Sequence, residues 1–174
     1  MKKSILVSIL FLSTSLFAME HKNHNMQEMN HHNHEMSSDT NINSNIPKDA
    51  KCQVCGMFVS KYTNWVSTIK TPKETFYFDG PKDMFKFYFE PAKYAKDVAL
   101  NDIAINVTDY YTLEQINAKS AFFVVGSNVM GPMGNEFIPF KDENSAKEFL
   151  KDHQGKNIFK FDEITLDMIP KKHH

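Results

Sequence analysis

No arginine occurs among the 174 residues; every strongly basic side chain is a lysine, and the formal net charge is −1. Nucleic-acid binders normally show a basic face and use arginine on phosphates and base edges, so this composition argues against such a partner. Cysteine is scarce as well, and Cys52 and Cys55 are the only two. Across a two-residue spacer they would close a small strained ring, better suited to redox exchange or a metal than to stapling a fold. Long apolar runs are also missing. The one candidate, Ile5 to Phe17, is shorter than the roughly 20 residues that span a bilayer. Lys2 and Lys3 precede it and the small Ala18 follows it, the order of a secretory signal over residues 1–18, cleaved near Ala18. With no cysteine near that junction to take a lipid, the reading is an exported protein without a stable membrane anchor.

What is present falls into two regimes. Residues 19–50 lack an apolar period and are rich in Asn, His, Met and Ser, which predicts a disordered tail and linker. From Lys51 onward, aromatic and β-branched residues arrive in short bursts separated by turn residues. Trp65 to Lys70 and Glu74 to Asp79 read as strands around a turn, with a helix following from Pro81 through Phe89. Asp102 to Thr108 alternates as a further strand. Ala121 to Gly126 and Glu136 to Phe140 are again strands, joined by a loop with Gly131, Pro132, Met133 and Gly134. A helix over Ser145 to His153, capped by Asn144 or Ser145, precedes a strand from Asn157 to Asp162. Strand, strand, helix, strand is thus written twice, in lobes of about 51–110 and 118–170. Neither would bury much apolar surface alone, so the expected fold is α+β, with the lobes packed together and a site at their seam. Trp65, Phe76, Phe78, Phe85, Phe122, Phe123, Met84 and Met168 are expected in the core. His153 is expected at the surface.

Soft donors carry the chemistry. Thiolate and thioether sulfur select Cu(I) over hard ions. In an extended segment Cys55 and Met57 would face one ion, with Gly56 giving the backbone room. Met133, in its glycine-rich loop, is a candidate third ligand, with Met130 as the spare. A closed zinc site wants four Cys or His ligands, usually with a second close-spaced pair, and the folded region has no such pair. A thioredoxin-like pair would open a helix in a parallel βαβ unit, whereas Gly56 to Val59 lead toward strands. Upstream lie His21, His24, His31, His32 and His34, with Met19, Met26, Met29 and Met36. These donors can hold copper in either oxidation state. Cleavage after Ala18 would place His21 third from a free α-amine, an arrangement that binds Cu(II) or Ni(II) in a square plane.

Cys52, Val54, Cys55, Gly56, Met57, the Trp65 strand and the Phe76 to Phe89 strand and helix resemble the NosL family of nitrous oxide reductase accessory proteins. Phe122, Phe123, Val124, Gly126 and Ser127, followed by Gly131, Met133, Gly134, Pro139 and Phe140, extend the resemblance over roughly Lys51 to Ile169. It implies a periplasmic, non-enzymatic Cu(I) chaperone of two related lobes, similar in fold to organomercurial lyase, serving nitrous oxide reductase. By position, Cys55 and Met133 match the family's copper ligands and Met57 its CxM methionine; Cys52 is an additional donor or redox partner. Two alternatives stay open, namely a periplasmic copper-tolerance or storage protein whose tail supplies the capacity, and a thiol-disulfide reductant using Cys52 and Cys55.

Overall fold

A computed structural model describes residues 46–170. Residues 1–18, read above as a secretory signal, the expected tail donors His21, His24, Met26, Met29, His31, His32, His34 and Met36, and residues 171–174 lie outside the described residues.

Strands β1 (Ser67–Lys70) and β2 (Thr75–Phe78) form an antiparallel hairpin. Its turn is closed by Thr71, whose hydroxyl accepts from the Lys73 and Glu74 amides. Helix α1 (Pro81–Phe89) follows, then a short helix α2 (Pro91–Tyr94), then β3 (Ala104–Thr108) and β4 (Gln115–Asn117). The first sheet runs β2-β1-β3-β4 and is antiparallel throughout. After it come β5 (Phe122–Val125), a small hairpin of β6 (Met130–Gly131) and β7 (Gly134–Asn135), β8 (Ile138–Phe140), helix α3 (Glu143–Asp152) and β9 (Asn157–Lys160). The second sheet runs β8-β5-β9 and is also antiparallel. Both sheets place their first strand in the middle, with a helix between the second strand and the third.

Alternation explains β2, which buries Phe76 and Phe78 while leaving Thr75 and Tyr77 half-buried. Pro81 opens α1, where its fixed φ suits the first turn and no N–H is wasted. The buried side of that helix carries Met84, Phe85 and Phe87. Phe85 sits at the centre of the aromatic core, its ring 5.3 Å from Phe123, 5.0 Å from Phe137 and 5.2 Å from Phe161 between centroids. A helix of the first half therefore packs on strands and turns of the second, and the two share one core. Main-chain bonds reinforce the seam, with the Tyr110 amide donating to the Pro139 carbonyl and the Lys141 amide to the Asp109 carboxylate.

Several details differ from the expectations. Asp142, not Asn144 or Ser145, caps α3: its backbone is extended, and its carboxylate accepts from the Ser145 amide at 2.9 Å. Successive strand residues point to opposite faces, so Phe123 is fully buried while Phe122 is half-buried beneath the Lys160 amine. Trp65 precedes β1 and packs half-buried on the smaller cluster of Val124, Ile138, Phe140, Ala146 and Phe149. His153 is half-buried rather than exposed, stacked 4.3 Å from the Phe149 ring. Met84 is buried and Met168 half-buried.

Candidate metal centre

β2 is an edge strand, and the cysteine segment fills part of its open side. Cys52 forms a parallel bridge with Tyr77, and the Gln53 amide donates to the Tyr77 carbonyl at 3.1 Å. Residues 52–57 then close on themselves. The Gly56 amide donates to the Cys52 carbonyl at 2.9 Å, and the Cys52 amide to the Met57 carbonyl at 2.8 Å. The extended geometry expected for Cys55 to Met57 is replaced by this turn, because Gly56 takes a left-handed φ of +78° that side chains disfavour. A methyl group at Gly56 would meet nothing within 4 Å, so the cost of Gly56→Ala is conformational. Urea melts should show a loss of about 1–2 kcal/mol, the usual penalty for a left-handed L-residue.

Four donors converge where this turn meets the β2–α1 junction. Cys52, Cys55, Asp79 and Asp83 each bring a ligand atom, all within 4.8 Å of one another. The Cys55 thiol lies 3.4 Å from an Asp79 carboxylate oxygen, and the Cys52 thiol 3.6 Å from one of Asp83, each thiol donating. Asp79 leaves the end of β2, and Asp83 occupies the first turn of α1, paired with Lys86 at 2.7 Å. Cys52, Asp79 and Asp83 are buried, whereas Cys55 is half-buried and forms the accessible side. Both cysteines are free thiols. Burial pushes the Cys52 thiol far above its ordinary range and that of Cys55 up to about 11. Burial likewise raises the Asp79 carboxyl. At neutral pH the sulfurs are therefore protonated and held against carboxylates that accept their hydrogens.

Asp79 and Asp83 were not among the sequence candidates. Their signal is faint: two acidic residues four apart, straddling Gly80 and Pro81, at the end of a strand whose edge receives the cysteines. Only the pairing of Cys52 with Tyr77 makes that spacing meaningful.

The methionines are held in place through their main chain rather than their thioethers. Met57, half-buried, closes the cysteine turn through its carbonyl. Met133, also half-buried, sits in the turn between β6 and β7, and its carbonyl accepts from the Lys82 amine at 2.5 Å. Lys82 is only 3% exposed and adjoins Asp83 in α1. Met130, the spare candidate, is 57% exposed.

The fold has counterparts in known proteins. The model of the NosL family matches residues 43–169. Over 122 residues the chain is 26% identical to the copper-binding lipoprotein NosL of Stutzerimonas stutzeri, a match covering 68% of this chain and 64% of that protein, just under two thirds of its length. The crystal structure of the copper chaperone NosL from Shewanella denitrificans superposes with a TM-score of 0.59 at 28% identity, covering 71% of this chain and 95% of that one.

Proposed function

This chain belongs to the NosL family, and from that premise we propose that it is an exported, non-enzymatic Cu(I) carrier. Its core site is Cys52, Cys55, Met57 and Met133, and it hands copper to a periplasmic acceptor, nitrous oxide reductase during maturation. The carrying observation is the convergence of the chain's only two thiols at one half-exposed spot beside a carboxylate pair. Relatives described as a copper-binding lipoprotein and a copper chaperone support the cargo and the role. The tail, dense in His and Met, supplies lower-affinity capture, with Cu(II) on the His21 segment and storage during copper excess as its local uses. Export rests on the secretory signal and on the lipoprotein relative; among the described residues no helix is long and apolar enough to cross a membrane.

Reductant chemistry fits less well. A nucleophilic cysteine needs a depressed pKa, usually at a helix N-terminus, whereas burial raises both of these thiols and the segment is a turn on a sheet edge.

Protonated thiols also set the pH response. Cu(I) must displace the thiol proton, so below a pKa of about 11 for Cys55 the affinity rises with pH, by about tenfold per unit for each thiol that ionises on binding. Competition against a chromophoric Cu(I) chelator, without oxygen, should show this slope between pH 6 and 9. A pH-independent affinity would mean that no thiol proton is displaced and would overturn the thiolate site. Delivery is tested separately, by mixing the copper-loaded chain with copper-free nitrous oxide reductase; retention of all copper on the chain would remove that acceptor.

A further inference from the structure

Glu136 is a buried carboxyl group that no ligand set requires, yet both halves of the molecule meet at it. Its carboxylate accepts from the main-chain N–H groups of Lys82, in the first turn of α1, and of Phe137, the latter at 3.0 Å. α1 has no side-chain cap of its own at Gly80, so Glu136 supplies the acceptor from the opposite half. A Cβ at Gly80 would stand 2.5 Å from its Oε2, and one at Gly131 3.0 Å from its Cγ. Glycine at those two places makes room for one carboxylate. Lys82 completes the link: while its N–H holds Glu136, its amine reaches past to the Met133 carbonyl. The first turn of α1, which carries Asp83, is thereby tied at two points to the β6–β7 hairpin that carries Met133 and to the residue directly after it.

We infer that Lys82 and Glu136 are positioning residues, a clamp that holds the Met133 hairpin against the cysteine turn so that the thioether and the thiols address one copper ion. Neither touches the metal. The inference rests on Met133 being a copper ligand. With the clamp intact the hairpin loses little freedom when copper arrives, so less of the binding free energy is spent on ordering it. Without it the cysteines still bind, but the methionine arm must be recruited.

The test is a double-mutant cycle on the full, reduced chain. Thiolate-to-Cu(I) charge-transfer absorption serves as the readout, and it reports the core site alone because Cys52 and Cys55 are the chain's only cysteines. Lys82→Met keeps the length and apolar stem of the side chain and removes the donor. It should weaken Cu(I) binding by about tenfold in the otherwise native chain, and by less than about twofold when Met133→Ala is already present, the non-additivity expected of residues acting through one element. Thermal melts of the copper-free proteins accompany the cycle; should Lys82→Met fail to fold, Glu136→Ala replaces it. Equal losses in both backgrounds, or no loss beside a clear Met133→Ala defect, would overturn the clamp while leaving Met133 a ligand. If Met133→Ala itself has no effect, the ligand assignment fails and the clamp with it.

Discussion

Cys55→Ser should weaken Cu(I) binding by at least about a hundredfold, since even groups behind the metal ligands are commonly worth about 10–100-fold in affinity. Cys55 is the half-buried member of the cluster, and its thiol faces Asp79 at 3.4 Å. Serine keeps the size and can keep the hydrogen bond, so the fold should survive. What is lost is the soft thiolate, and a hydroxyl does not replace it for Cu(I). Cys52→Ser should be weaker in effect on the rate of loading, because Cys52 lies behind Cys55 and is 2% exposed. Chelator competition on the two variants checks the affinities, and stopped-flow mixing with a Cu(I) donor checks the order of access. Equal affinity in Cys55→Ser and the native chain would remove the cysteine from the site.

The second large effect concerns stability. Phe85→Ala should destabilise the protein by about 3–5 kcal/mol, the range for deleting a buried aromatic ring from a packed core. Phe85 is fully buried and its ring meets Phe123, Phe137 and Phe161, all from the second half, as well as Phe89 on its own helix. The cavity would open at the seam rather than inside one half. Because Met84 and Phe87 flank it on α1, the same change should loosen the first turn of that helix, where Asp83 and Lys82 stand. Denaturant melts of the copper-free variant give the loss directly, and a change below about 1 kcal/mol would mean that the halves do not depend on this contact. Copper affinity should fall with it, though less than in Cys55→Ser, since the donors themselves remain.

The period-two and helical patterns of the sequence located most of the framework, and the reason is visible in the burial. β2 alternates cleanly through Phe76 and Phe78, and α1 shows its apolar side as Met84, Phe85 and Phe87. Where elements are too short to show a period, the sequence is mute: β4 has three residues, and β6 and β7 two each. The cap of α3 lies two residues before Asn144 and three before Ser145, because Asp142, Asn144 and Ser145 are all good caps and only the extended backbone at Asp142 decides among them. In the candidate site, Cys52 and Cys55 stand out because two thiols at that spacing suit a metal or redox exchange rather than a stapling disulfide. Asp79 and Asp83 do not, since acidic residues near a helix start are ordinary and their meaning depends on a bridge between Cys52 and Tyr77, 25 positions apart. Lys82 and Glu136 are harder still. They are separated by 54 residues, and nothing local marks a lysine in α1 as buried or a glutamate after β7 as its partner.

The most direct measurement is an anaerobic Cu(I) titration of the full, reduced chain, followed by thiolate-to-copper charge-transfer absorption with a competing chelator present. The absorption should grow from the first addition, saturate at about one equivalent and disappear when both cysteines are serine, leaving the tail donors to take up later copper. Copper bound tightly with no thiolate absorption would contradict the thiolate site, and would make the His and Met tail the carrier and the cysteine turn a bystander.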